Sequence, residues 1–270
     1  MESLSIGPLA IPLDRLFVLM GVIAVFVTAW LLERYRGVDA GVPIWWGLIA
    51  GILVGRGAHA LAYWEWYRES PWVLLYFWQE GYMASWGVAA ALLVAGLVAL
   101  RRGIAIWVPT GSLSAGLLCW AVLAGGHAWF SPGPEGELPD VAFHDLEGEP
   151  VQIADLESKP VVINLWASWC PPCRREMPAF EQAQRHFSGE VVFLFANQGE
   201  EPGEIREYLA EEGLQLEGVL RDPDSSLSTG FGTYVMPTTL FFDAEGELHD
   251  MHVGEVSAPR LAEYVEDLRP

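Results

Sequence analysis

The chain has 270 residues, with 15 Lys and Arg against 35 Asp and Glu, a formal net charge of -20 and 52% hydrophobic residues. That acidity argues against nucleic acid as a partner and against adhesion to anionic headgroups, because like charges repel both. Length alone allows one or two domains, but residues 1–134 carry seven Arg and seven acidic residues, whereas residues 135–270 carry eight basic and twenty-eight acidic ones. The whole net charge therefore lies in the C-terminal half, and the chain reads as a membrane domain over 1–134 followed by a soluble acidic domain over 135–270.

Four apolar spans are expected in the first half, at 13–32, 44–63, 83–100 and 104–127, each near the ~20 residues that a bilayer requires. Arg34 and Arg36 follow the first span, and Arg101 and Arg102 join the third to the fourth. These short basic loops are expected on the cytoplasmic side, which turns both termini outward. The loop 64–82 is then outside as well, and its Trp, Tyr and Phe residues suit the membrane interface. Glu2 and Asp14, without a basic N-terminal region, argue against a cleaved signal peptide, so the first span is expected to stay. Arg56 falls inside the second span, where a charge costs a few kcal/mol and marks either a functional group or a side chain paired with Glu80 or a carbonyl. His59 and His127 have no second ligand at metal spacing, and neither a metal nor a cofactor is expected.

The chain has three cysteines, Cys119, Cys170 and Cys173. Passing electrons across a bilayer by dithiol exchange needs two thiols among the spans, and this half has one. Cys119 reads as a small packing residue of the fourth span.

Ser131-Pro-Gly-Pro-Glu-Gly-Glu137 is a short Pro/Gly linker that keeps the second domain close to the membrane. After it, Val141-Ala-Phe-His144 and Pro150-Val-Gln-Ile153 flank Glu147-Gly-Glu149 and predict a hairpin. A buried strand is expected at 161–166, leading into Cys170-Pro-Pro-Cys173 and a helix over 174–187. A strand at 191–196, an acidic helix at 202–212, a short strand at 217–220 and a helical turn at 223–231 come next. Strands at 238–242 and 248–254 and a helix at 259–268 close the chain. Strands alternating with helices and ending in a hairpin predict an α/β domain with a mixed sheet covered on both faces.

Pro171 and Pro172 suit a first helical turn, which has no use for their missing N-H groups. Cys170 therefore stands at a helix N-terminus, where free N-H groups and the helix dipole favour a thiolate below the usual value of about 8.5. This makes Cys170 the expected nucleophile and Cys173 the resolving thiol. A structural disulfide or half a zinc site are the other readings of the pair; the three-residue spacing at a helix start, with no second Cys/His pair, speaks against both.

Trp169-Cys-Pro-Pro-Cys173 after a buried strand resembles the thioredoxin fold and, more narrowly, the membrane-tethered thiol-disulfide oxidoreductases of the TlpA/ResA type. Tyr234-Val-Met-Pro-Thr-Thr-Leu-Phe-Phe-Asp-Ala-Glu-Gly-Glu-Leu248 matches the Pro-Thr-Thr strand of that family and the hairpin after it. The resemblance covers 138–270. It implies a cis Pro237 that turns the backbone of Met236 toward the dithiol, with Trp169, Met236, Pro237 and Thr238 as the substrate-binding surface, where an extended peptide adds by strand pairing. It also implies that Glu176 relays a proton from Cys173, provided burial raises its pKa; the other reading is a first-turn carboxylate that favours the helix dipole. Trp166 reads as core.

The same resemblance implies reduction of disulfides in envelope proteins, such as apocytochrome c or copper-site thiols. Electrons would come from a separate DsbD- or CcdA-like membrane protein, with the domain facing the periplasm from a bacterial inner membrane. The two prolines of the motif favour oxidation instead, which leaves an oxidase or isomerase as the alternative. In the membrane half, Ser5-Ile-Gly-Pro-Leu-Ala-Ile11, Val54-Gly-Arg56 and Trp78-Gln-Glu-Gly-Tyr-Met83 resemble the N-terminal part of prolipoprotein diacylglyceryl transferase. Trp86 stands where that family has its functional His, and the later Gly-Arg-Leu-Gly-Asn-Phe motif is absent. The expectation is a degenerate scaffold, with lipid binding or transfer as a further alternative.

Overall fold

The computed structural model describes residues 3–6, 9–77, 79–130, 135–156 and 158–269. Trp78 of the membrane motif, Gly7 and Pro8 of the Ser5–Ile11 segment, Glu2 and residues 131–134 of the expected linker lie outside the described residues. The chain divides into two compact units, one of 1–65 with 80–132 and one of 66–79 with 133–270.

The first unit opens with two short antiparallel strands, β1 (Ser3–Ile6) and β2 (Leu9–Pro12), which the sequence reading did not anticipate. Four long helices follow: α1 (Leu13–Arg36), α2 (Gly41–Ala62), α4 (Ala84–Arg101) and α5 (Trp107–Phe130). A short α3 (Trp64–Tyr67) lies between the second and third of these. All four are long and apolar enough to cross a membrane. Small residues let the backbones of such apolar helices approach closely, the packing that helices use where the hydrophobic effect gives little drive. Gly47, Gly51 and Gly55 recur every fourth residue on α2, and a methyl group added at Gly47 or Gly51 would sit 2.7 Å from the Ala91 carbonyl oxygen or 3.0 Å from that of Gly87. Gly21 and Gly116 bring α1 and α5 together in the same way: a methyl at Gly116 would lie 2.6 Å from the Gly21 carbonyl oxygen.

Arg56 is buried on α2 and donates from Nη1 to the carbonyls of Glu80 (2.7 Å) and Gly81 (3.0 Å). Of the readings open for it, this is the carbonyl-paired one. The guanidinium thereby ties α2 to the segment that leads into α4.

The second unit carries a seven-stranded sheet in the order β4-β3-β7-β6-β5-β8-β9. Its strands are β3 (Ala142–Asp145), β4 (Pro150–Gln152), β5 (Val161–Trp166), β6 (Val192–Gln198), β7 (Val219–Asp222), β8 (Thr238–Phe242) and β9 (Leu248–Val253). The helices are α6 (Pro171–His186), α7 (Pro202–Glu212), α8 (Ser226–Gly230) and α9 (Ala258–Asp267). β5, β6 and β7 run parallel, while β8 and β9 run antiparallel to their neighbours. This is the thioredoxin-like α/β arrangement, extended by the β3–β4 hairpin.

The apolar runs explain the centre of the sheet. Every residue of β5 and of β8 is buried, as expected for strands covered on both faces. α6 buries Cys173, Glu176, Met177, Phe180 and Ala183, a stripe at helical spacing that seats it on the sheet. The antiparallel register sets Leu165 opposite Thr238. The end of β5, which feeds the dithiol, therefore lies beside the start of β8, which follows Pro237.

Several boundaries shift from those expected. β6 continues two residues past 196 because Asn197 and Gln198 find buried hydrogen-bond partners. β7 starts at Val219, since Gly218 has a left-handed φ of +75 and a methyl there would meet the Phe193 carbonyl oxygen at 2.6 Å. The aromatic residues of 64–82 were expected at a membrane interface as a group, but Trp66 is buried and stacks on Phe187 at 5.7 Å within the second unit.

Candidate active site

Cys170 and Cys173 form a disulfide with a Cα–Cα distance of 5.3 Å. Cys170 caps α6: it has extended backbone, Pro171 and Pro172 open the helix, and Sγ of Cys170 accepts from the Cys173 N-H at 3.3 Å. Backbone N-H groups at a helix start have no carbonyl partner of their own, so a sulfur at the cap position receives one. Cys170 keeps 4% of its surface accessible and Cys173 none, so an incoming group meets Cys170 first.

The turn before the helix is closed by the Cys170 N-H donating to the Ala167 carbonyl at 3.2 Å. Trp169 stands at its corner, 64% exposed. Trp166, at the end of β5, is fully buried against Tyr208, as expected of core. Met236-Pro237 is a cis peptide bond at the entrance to β8. Met236 is half-buried and Pro237 buried, whereas Tyr234 and Val235 just before them are exposed apolar side chains. Thr238 is placed differently from a substrate-facing residue. It is fully buried, its hydroxyl donates to the Val235 carbonyl at 2.7 Å and pairs with the Thr233 hydroxyl at 2.9 Å. It holds the shape of the 233–238 loop, because the pleat that points residue 239 toward β5's Asn164 leaves 238 enclosed by its own turn.

Glu176, one turn beyond Cys173, is 99% buried and has no place at the solvent-facing first turn of a helix. Its Oε1 accepts from the Asn164 amide at 2.8 Å and its Oε2 from the Val256 N-H at 2.9 Å. Removal from water pushes its pKa up to about 8 against the pull of those two donors; the charge of Glu255 adds to the rise and that of Arg175 opposes it. Two buried polar residues of the site, Asn164 and Glu200, were not legible in the sequence. Asn164 is the polar residue inside the otherwise apolar β5, fully buried, and its amide also reaches Thr239 Oγ1 at 3.2 Å. Glu200, in the loop after β6, is nearly buried and accepts from the Ser168 N-H at 2.6 Å, from the Ser168 hydroxyl and from the Asn197 amide at 2.7 Å. Polar residues inside a buried strand, such as Asn164 and Asn197, were the available signal.

Among the described residues no cluster of His, Cys, Asp and Glu is placed to hold a metal ion. The arrangement offers a slightly exposed sulfur, an enclosed partner sulfur, an enclosed carboxyl whose pKa burial raises to about 8, and an exposed apolar rim. Such a set suits disulfide exchange with a peptide chain.

Known proteins agree over the C-terminal half. The AhpC/TSA family pattern matches residues 134–251. The thiol-disulfide oxidoreductase ResA of Halalkalibacterium halodurans is 31% identical over 129 residues, which is 47% of this chain and 73% of that protein. ResA of Bacillus subtilis is 27% identical over 135 residues, 50% of this chain and 75% of that protein. The solved structure of MTB dsbF is 27% identical and covers 49% of this chain and 99% of that one, with a TM-score of 0.46. Identity of 31% over 73% of the length of a curated relative means that the chain belongs to the family of ResA-type thiol-disulfide oxidoreductases.

Proposed function

We propose that this oxidoreductase works as a membrane-tethered reductase of envelope-protein disulfides, with residues 1–134 as the membrane domain and 135–270 as a periplasmic catalytic domain. The observation that carries this reading is the pairing of the more exposed helix-cap sulfur, Cys170, with an enclosed Cys173 one turn from the protonatable carboxyl of Glu176.

In the reduced enzyme the Cys170 thiolate attacks one sulfur of a substrate disulfide. A Cys170–substrate bond forms, the substrate S–S bond breaks, and the departing substrate thiolate takes up a proton. Cys173 then passes its proton to Glu176 and attacks Cys170 Sγ. The second substrate thiolate leaves, and the two electrons of the enzyme dithiol now reside in the substrate dithiol. The Cys170–Cys173 disulfide is the spent form. Trp169, with the Tyr234–Met236 edge ahead of Pro237, holds the substrate chain against the sulfur, Met236 offering its backbone for strand addition and Thr238 keeping the loop in shape.

A spent disulfide needs a donor. The membrane domain has one cysteine, Cys119, and cannot cycle a dithiol of its own. Electrons therefore come from a separate DsbD- or CcdA-like membrane protein, and the substrates are disulfides formed by the cysteines of apocytochrome c or of copper sites. Oxidation or isomerisation is the competing direction for a Cys-Pro-Pro-Cys pair, and the reduction potential decides between them. The likeness of the membrane domain to prolipoprotein diacylglyceryl transferase is read as a degenerate scaffold that sits in the inner membrane. Trp86 at the place of the family's His, and Arg56 occupied by the carbonyls of Glu80 and Gly81, support anchoring over lipid transfer.

The orientation rests on Arg34, Arg36, Arg101 and Arg102 at the cytoplasmic ends of the helices. A C-terminal alkaline phosphatase fusion is expected to be active in an intact bacterium, and a fusion in the loop after α4 inactive. The reverse pattern would remove the periplasmic reading and the substrate class with it.

A further inference from the structure

Glu200 carries a carboxylate on the loop between β6 and α7, and three hydrogen bonds converge on it. Its Oε2 accepts from the Ser168 N-H at 2.6 Å and from the Asn197 amide at 2.7 Å, while Oε1 takes the Ser168 hydroxyl. The side chain of Asn197 completes the frame, its Oδ1 accepting from the Glu200 N-H at 3.3 Å. Both Glu200 and Asn197 are buried. A carboxylate withdrawn from water is costly unless its lone pairs are filled, and a charge-assisted hydrogen bond is about twice as strong as a neutral one.

The location of this frame gives it a consequence. Ser168 and Trp169 are the two central residues of the turn that the Cys170 N-H closes onto the Ala167 carbonyl at 3.2 Å. The Ser168 N-H and hydroxyl are bound from outside the turn, and both bonds go to the same carboxylate. Cys170 is also held by the start of α6 and by the Cys173 N-H, neither of which involves Ser168. Trp169 is exposed, and among the described bonds nothing grips its side chain. Its direction is therefore set by the backbone of Ser168.

We propose that Glu200 is a positioning residue, which clamps the Ser168 turn so that Trp169 is presented to an incoming protein chain beside Cys170. The proposal rests on the reading of Cys170 as the attacking sulfur and of Trp169 as part of the substrate surface. It predicts a split between substrates. A small disulfide such as DTNB needs only the sulfur, whereas a protein disulfide also needs the indole.

The test uses the full chain in detergent, in a Cys119→Ala background, reduced with dithiothreitol, freed of it, and reacted in single turnovers with varied excess of DTNB or of insulin. Glu200→Ala is expected to raise the half-saturating insulin concentration and lower the apparent second-order rate constant for insulin about tenfold, with the DTNB rate within about twofold of the parent; leaving the Ser168 donors without an acceptor supplies an effect of that size. Glu200→Gln can still accept from the Ser168 N-H and is expected to restore most of the loss. Trp169→Ala should reproduce the insulin defect, and Trp169→Ala with Glu200→Ala should be no worse than Trp169→Ala alone, since the two act as one unit. Equal losses on both substrates, or losses that multiply in the double variant, would overturn the proposal and leave Glu200 as a stabilising residue only. Should Glu200→Ala fail to fold, Ser168→Ala, which deletes only the hydroxyl bond, must give a smaller loss on insulin with no change on DTNB; no loss on insulin refutes the clamp. Failure of the underlying reading looks different: DTNB turnover that survives Cys170→Ala would remove the attacking sulfur itself, irrespective of Glu200.

Discussion

Replacing Cys170 with Ser is expected to abolish protein-disulfide exchange, by on the order of a thousandfold or more, while Cys173→Ala leaves an enzyme that attacks once and stops. The two outcomes differ because the two sulfurs are placed differently. Cys170 caps α6, is the more accessible of the pair and receives the Cys173 N-H, a bond that favours negative charge on its sulfur once the disulfide opens. Cys173 is enclosed, and its sulfur is bonded to Cys170. In cells carrying Cys173→Ala with Cys119→Ala, mixed disulfides that collapse on reduction should accumulate on a non-reducing gel. Their appearance with Cys170→Ala instead would reverse the two roles.

Glu176→Gln should slow resolution by about a hundredfold and flatten the pH profile, which is the usual range for removing a general acid–base group. Glu176 has its pKa raised by burial to about 8, close to that of an ordinary thiol, so the proposed proton transfer between Cys173 and Glu176 would cost little. In the parent enzyme, turnover should rise as pH climbs toward 8 and more of the carboxyl is free to accept a proton. The same shift carries a stability signature of defined sign. The unfolded chain releases this proton near 4.5, the folded one near 8, so between those values the native state binds the extra proton. Stability therefore falls as pH rises through that window, by up to about 1.4 kcal/mol per unit, and levels off above it. Glu176→Gln, neutral throughout, should lose that slope in thermal unfolding from pH 5 to pH 8. A parent slope of opposite sign, or the same slope in the variant, would show that Glu176 is ionised when buried.

How far the sequence reaches depends on whether a feature is local. The Cys170 cap follows from the residues beside it, because two prolines can open a helix and an apolar run can precede it. The start of β8 at Thr238 and the span of α7 are likewise local, since Pro237 cannot continue a ladder and Pro202 opens a helix. The carboxylate clamp is another matter. Glu200 lies 32 residues from Ser168, and only the parallel pairing of β5 with β6 brings the ends of those strands together. Asn164 is hidden for a related reason: inside an apolar strand it is one polar residue, and its partner Glu176 sits on the helix that packs over it. Thr238 shows the limit of a motif, which names a residue without saying which way its side chain turns. In the first unit the four helices were legible from apolar length, but Gly51 against Gly87 could not be paired until the helices were in place. The same holds for Trp66, whose aromatic ring fits an interface and a protein surface equally well.

The most direct test of the account is the redox state of Cys170 and Cys173 in living cells, read by acid quenching, alkylation with a mass-adding thiol reagent and a gel, in a Cys119→Ala background. A reductase fed by a membrane donor predicts a mostly reduced pair that becomes oxidised when the candidate donor is deleted. A pair that is oxidised with the donor present and unchanged by its deletion would contradict the account and make the protein an oxidase.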